Sequence, residues 1–212
     1  MDYLSTLLSV TDHNLKYYIE YTVPSRIRDQ DRDLVFRNLY EFPELLKSVK
    51  NRPQWETAVW PMVIRGLKNE KYLPDSWMQM VVNKDRPDGN KALLTHFEHR
   101  GSNYILKYVK RTSIPEADIK KSVRKMWRVK KSGDSYDIDY PALCAVQYGE
   151  FDALKHLVMI IKSPNNNDSH SVKQARSILL RMVDTNDDIV AWYEQNRNRI
   201  RFDERTEKYV VR

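Results

Sequence analysis

Between its prolines at 24, 43, 53, 61, 74, 87, 115, 141 and 164, most of the chain carries apolar residues at three- and four-residue spacing. That spacing lines one stripe of a helix, while each proline lacks a backbone donor and restricts the residue before it, so the prolines punctuate. The pattern predicts "DRDLVFRNLYEF" and "ELLKSVK" on either side of Pro43, and "QWETAVW" and "MVIRGLKNE" on either side of Pro61. Pro61 is expected to break or kink what precedes it. Further helices are predicted over "DSWMQMVVNK", "NKALLTHFEHR", "SNYILKYVKR", "EADIKKSVRKMWRVKK", "PALCAVQYG", "FDALKHLVMIIK", "SVKQARSILLRMV" and "DIVAWYEQNR". The longest expected loop is "SPNNNDSH", whose asparagine run suits a solvent-facing turn.

About ten helices of roughly 8 to 17 residues, joined by short connectors, are the signature of an all-α fold of stacked antiparallel helix pairs, a pattern that a compact all-α globule shares. A single domain over 1-212 is expected, with any division near 86-90. A shift of the chain by 48 residues sets "RGSNYILKYV" over "YGEFDALKHL", aligning Gly101 with Gly149, Leu106 with Leu154 and Lys107 with Lys155. A repeated helix pair would look like this.

Two segments carry family resemblances. In "PALCAVQYGEFDALKHLV", the residues Pro141, Ala145, Val146, Gly149, Leu154, Leu157 and Val158 resemble one ankyrin repeat, with Tyr140 and Leu143 standing at that family's threonine and histidine positions. The segment reads as two helices joined at a tight glycine turn. "DIVAWYEQNRNRIRFDERTEKYV" resembles the closing segment of HEAT-repeat proteins through Trp192, Tyr193, Asn196, Ile200, Phe202, Asp203 and Tyr209. This resemblance implies a short HEAT-like helical-repeat array, a terminal cap with a short extended C-terminal tail, and scaffolding or binding rather than chemistry.

With 212 residues and 41% hydrophobic content, the chain is long enough to bury a core. Only five residues are glycine, and neither GxxxxGK nor GxGxxG occurs, which argues against a nucleotide-dependent enzyme and against a turn-rich sandwich or barrel. Cys144 is the only cysteine, so no disulfide can form within the chain and a cysteine-based zinc cluster is excluded. A reducing compartment is expected. The start "MDYLSTLLSV" lacks the charge and apolar length of a signal peptide, and no segment approaches the roughly 18 apolar residues of a membrane span. The expected location is cytoplasmic.

Charge sharpens the picture. Residues 107 to 131 hold ten cations, Lys107, Lys110, Arg111, Lys120, Lys121, Arg124, Lys125, Arg128, Lys130 and Lys131, against Glu116 and Asp118. The whole chain carries +7, so the positive charge is one local feature. Ser113 and Glu116 have capping-box spacing, with Pro115 in the first turn. On the helix that follows, Ile119, Val123, Met126 and Trp127 fall within about 100° of one another, and Lys120, Lys121, Arg124, Lys125 and Arg128 fill the other face. Trp127 is therefore expected in the core. The cationic face suits a phosphate backbone, an acidic protein or an anionic membrane surface. Phosphate tracking requires that acids not be interleaved with it in space.

Other constellations lead to plainer expectations. His96 and His99 share a helix face without HExxH or a third ligand, so no metal is expected there. His13 and His170 are isolated, and His156 is expected packed or snorkelling. Asp134, Asp137 and Asp139 depart from EF-hand spacing and are expected to cap a helix, as are the acids of "VDTNDDI" before "DIVAWYEQ". Cys144 on an apolar helix face should be inert. No catalytic residue, cofactor or small-molecule substrate is expected. The reading is a non-enzymatic binding or scaffolding module with a protein partner, engaged through an exposed apolar patch drawn from "QWETAVWPM" and "DSWMQM". The alternative is nucleic-acid backbone binding through residues 107 to 131.

Overall fold

A computed structural model describes residues 27-69, 73, 75-132, 139-163, 170-183 and 188-212. The expectations for "MDYLSTLLSV", His13, Asp134, Asp137 and most of the "SPNNNDSH" loop lie outside these residues. The described chain is all-α, with ten α-helices and one two-stranded antiparallel sheet at its C-terminal end. Its internal contacts divide it into two compact units, one reaching His96 and including residues 111-113, the other formed by residues 97-110 and 114-212.

The first unit contains α1 (Arg32–Asn38), a 3-10 stretch (Pro43–Asn51), α2 (Pro53–Asn69), α3 (Asp75–Lys84) and the start of α4 (Pro87–Arg100). Pro61 does not break α2, which runs through it as one helix. The lost hydrogen bond and ring clash cost about 3 kcal/mol. Against that, α2 buries Trp55, Val59, Trp60, Val63 and Leu67, each stabilising by roughly 1.5 to 3 kcal/mol. The proline itself faces solvent, and packing of the opposite stripe wins. Trp77 is fully buried against Gly66, where its six-membered ring fills the space that any side chain would occupy. The tryptophan-rich segments thus supply the core of this unit, and the expected exposed patch is not formed by their indole rings.

Ser113 also departs from expectation. Its amide donates to the Asp85 carboxylate at 2.8 Å, and its hydroxyl accepts from Asn90 at 3.3 Å. Both groups that a capping box would use are thereby engaged away from the helix start. The helix beyond it starts at Glu116, and the Pro115 carbonyl takes the amides of Asp118 and Ile119.

The second unit runs from the end of α4 through α5 (Asn103–Val109), α6 (Glu116–Ser132), α7 (Asp139–Ala145), α8 (Phe151–Lys162), α9 (His170–Met182) and α10 (Ile189–Asn196). Both glycines aligned by the 48-residue shift are left-handed and separate consecutive helices. Gly101 has φ +66° between α4 and α5, and Gly149 has φ +82° between the α7 segment and α8. The core stripe of α8 is Ala153, Leu154, Leu157, Val158 and Ile161, and the "PALCAV" residues 141-146 are all buried against it and its neighbours. Asp188 caps α10 by accepting the Val190 amide at 2.9 Å.

The extended tail is a hairpin, β1 (Ile200–Asp203) paired with β2 (Lys208–Val211) in the register Ile200 to Val211 and Asp203 to Lys208. Two aromatic anchors hold it. The Tyr209 side chain is 1% exposed, and its hydroxyl donates to the Val146 carbonyl at 3.0 Å. The Phe202 ring covers Gly149, where a Cβ would stand 2.6 Å from it. The tail therefore closes over the α7 to α8 junction.

Candidate binding surfaces

α6 takes the orientation that its periodicity predicts. Ile119, Val123, Met126 and Trp127 are at most 2% exposed, which places Trp127 in the core and removes it as a stacking platform. Lys121, Lys125, Arg128 and Lys131 are exposed, and Lys120, Arg124 and Lys130 half-buried.

The surroundings of that face change its meaning. Lys120 pairs with Glu204 in the hairpin turn at 2.5 Å, Arg124 with Glu150 at 3.0 Å, Lys125 with Glu98 of α4 at 2.6 Å, and Lys131 with Asp152 of α8 at 2.7 Å. Four acids distant in sequence are thus interleaved with the cations in space. Together with Glu116 and Asp118 they set six carboxylates against the seven cations of α6, so little net charge remains there. The buried Ser122 hydroxyl donates to Glu98 at 2.6 Å, which makes Glu98 a clasp on α6. Burial pushes the Glu98 carboxyl up, but the hydrogen bonds from Lys125 and Ser122 and the charge of Lys125 outweigh it and hold the group below its ordinary value.

The remaining cations have varied settings. Lys121, Arg128, Lys130 and Lys107 carry no ion pair among the described residues. Lys110 lies over the Tyr148 ring at 4.8 Å. Arg111 belongs to the first unit. Of the ten cations of residues 107 to 131, four are thus ion-paired within the fold.

A second surface was not anticipated. α8 and α10 enclose an open groove of about 620 Å³. From α8 it takes Phe151, Lys155, Val158, Met159 and Lys162; from α10 and the turn after it come Tyr193, Glu194 and Arg197. Phe151 is 38% exposed and Met159 61%, and the Phe151 and Tyr193 rings lie 6.2 Å apart. Lys162 pairs with Glu194 at 3.0 Å across the groove, while Lys155 and Arg197 carry no ion pair among the described residues. The sequence did hold a signal for it. α8 has more apolar residues than one buried stripe needs, and at about 100° per residue Phe151, Lys155, Met159 and Lys162 fall within about 80° of one another on a second stripe.

The candidates for chemistry find plainer settings. His96 is 3% exposed and His99 exposed, and no group of three His, Cys, Asp or Glu able to hold a metal ion occurs among the described residues. His156 lies half-buried with its Nε2 3.0 Å from Asp139. Cys144 is fully buried, its thiol directed at the Gly101 carbonyl at 3.6 Å, and burial pushes that thiol well above its ordinary value. No described helix is long and apolar enough to cross a membrane. Compared with models of known protein families, with curated proteins and with solved structures, the chain matches none.

Proposed function

We propose that the chain is a non-enzymatic binding or scaffolding module, built as a HEAT-like helical array, that engages a protein partner. The observation that carries this reading is the groove between α8 and α10, which leaves Phe151 and Met159 facing solvent beside an apolar floor. An exposed apolar patch rimmed by polar groups is what protein association uses. The interleaved acids on α6 weigh the same way. Phosphate tracking draws on unpaired cations whose counterions are released, whereas Lys120, Arg124, Lys125 and Lys131 already have partners within the fold.

Capture from nuclease-treated extract by the wild type and by Met159→Asp tests this reading against nucleic-acid binding. The expected result is a protein retained after nuclease treatment by the wild type and lost by the variant. Labelled DNA and RNA, titrated across a salt series, should show no affinity that Lys121→Gln, Arg128→Gln and Lys130→Gln together abolish. Retention that vanishes with nuclease, together with steeply salt-dependent binding flattened by those three changes, would replace the protein reading with the nucleic-acid one.

A further inference from the structure

The groove's chemistry specifies more than a protein. Among the described residues its charged rim is Lys155, Lys162 and Arg197 against the carboxylate of Glu194, which Lys162 already engages, with the neutral Ser163 and Asn198 beside them. A partner seated over Phe151 and Met159 therefore meets two cations without ion-pair partners among the described residues, Lys155 and Arg197, and a third that it can draw from Glu194. Carboxylates on the partner satisfy that rim, and lysines would be repelled by it.

The backbone decides the partner's conformation. An extended peptide gains its affinity by pairing its amides with a sheet edge, and the groove walls are helices whose main-chain groups are occupied. The Ser163 amide at the end of α8, for instance, already donates to the Met159 and Ile160 carbonyls. A strand laid here would leave its own amides without partners, whereas a helix satisfies its own. Phe151 and Met159 are separated by about 12 Å along α8 at 1.5 Å per residue. A partner helix spans that distance between apolar residues seven or eight positions apart, the spacing of one amphipathic face.

We propose that the α8 to α10 groove binds an amphipathic helix of a partner protein, seating its apolar face on Phe151, Val158, Met159 and Tyr193 and its carboxylates on Lys155, Lys162 and Arg197. The proposal rests on the protein-binding reading above and deepens it. A second copy seated groove to groove is the poorer occupant because Lys155 and Arg197 would meet their own counterparts.

The test uses the full chain and three fluorescent helical peptides of about 15 residues, long enough to hold helix in solution. All three carry leucine on one face; the other face carries glutamate, glutamine or lysine. Anisotropy should rank glutamate tightest and lysine weakest, with a loss of at least about tenfold for the glutamate peptide in Met159→Asp. In Lys155→Glu with Lys162→Glu the order should reverse. Met159 is exposed, so Met159→Asp keeps the wild-type circular dichroism and reports binding alone.

Equal binding of all three peptides, lost in Met159→Asp, overturns the acidic partner while the protein-binding reading stands. Failure of every peptide to bind, or binding indifferent to Met159→Asp, overturns the proposal and removes the groove from the broader reading, whose capture experiment then decides it. A sedimenting dimer dissolved by Met159→Asp would instead assign the groove to a second copy and overturn the proposal.

Discussion

Replacing Gly149 by alanine probes the contact that fixes the C-terminal hairpin to the α7 to α8 junction. At φ +82° an alanine Cβ crowds its own backbone, at a cost of about 1 to 2 kcal/mol. Stiffening of the unfolded chain returns about 0.4 to 1 kcal/mol, which leaves a backbone cost of about 1 kcal/mol. The methyl also collides with Phe202, standing 2.6 Å from Cδ1 and 2.8 Å from Cγ, where unstrained carbon contacts lie at about 3.5 to 4.0 Å. The half-buried ring cannot retreat toward Tyr209, which lies 5.1 Å away and is tied to the Val146 carbonyl. Overpacking of this kind costs about 1 to 3 kcal/mol. The total destabilisation expected is thus about 2 to 4 kcal/mol. Urea unfolding followed by circular dichroism, on Gly149→Ala, Phe202→Ala and the double variant, separates the two contributions. Removing the ring removes the collision, so the double variant should be more stable than the sum of the single effects by about 1 kcal/mol or more, beyond the roughly 0.5 kcal/mol seen between independent sites. Additive effects, or a Gly149→Ala protein within about 0.5 kcal/mol of wild type, would refute the reasoning.

Two further outcomes are expected. Glu98 has its carboxyl held below the ordinary value in the fold; a depressed folded-state value contributes stability that is present above the unfolded value and lost as pH falls through the folded one. Stability measured from neutral to acid pH should therefore decline, and the decline should be shallower in Glu98→Gln, with no change of slope counting against the clasp on α6. Cys144, on α7, is fully buried with its thiol pushed up, so a thiol-reactive probe should label it slowly in the native protein and rapidly in urea, and fast native labelling would contradict the packing.

What the sequence makes legible is what depends on local periodicity. "FDALKHLVMIIK" coincides with α8 because one stripe of it needs burial and a left-handed glycine and a serine bound it. The basic helix shows its apolar residues to the core for the same reason. The errors arise where a non-local competitor outbids a local rule. Pro61 does not stop α2 because five buried side chains on the other face outweigh one lost hydrogen bond, and Ser113 leaves the helix start because Asp85 and Asn90, 28 and 23 residues earlier, engage its amide and hydroxyl.

The candidate surfaces follow the same logic with a sharper consequence. A run of cations in sequence measures charge density along the chain, whereas a partner meets charge density in space, and folding alters one without touching the other. Glu98, Glu150, Asp152 and Glu204 lie 21 to 84 residues from the cations they meet, so no window of sequence reveals that the α6 face is nearly neutralised. Each such exposed pair contributes little, about 0 to 1 kcal/mol, yet together the four set acids among cations that the run shows alone. The groove shows the converse: Lys155 and Arg197 are unremarkable in sequence, separated by an entire helix and more, and become a matched pair of cations beside exposed apolar surface only because α8 packs on α10. On the proposed reading, what singles out the α8 to α10 groove is that unpaired cations there stand beside exposed apolar surface, a combination that α6 lacks because its apolar stripe is buried.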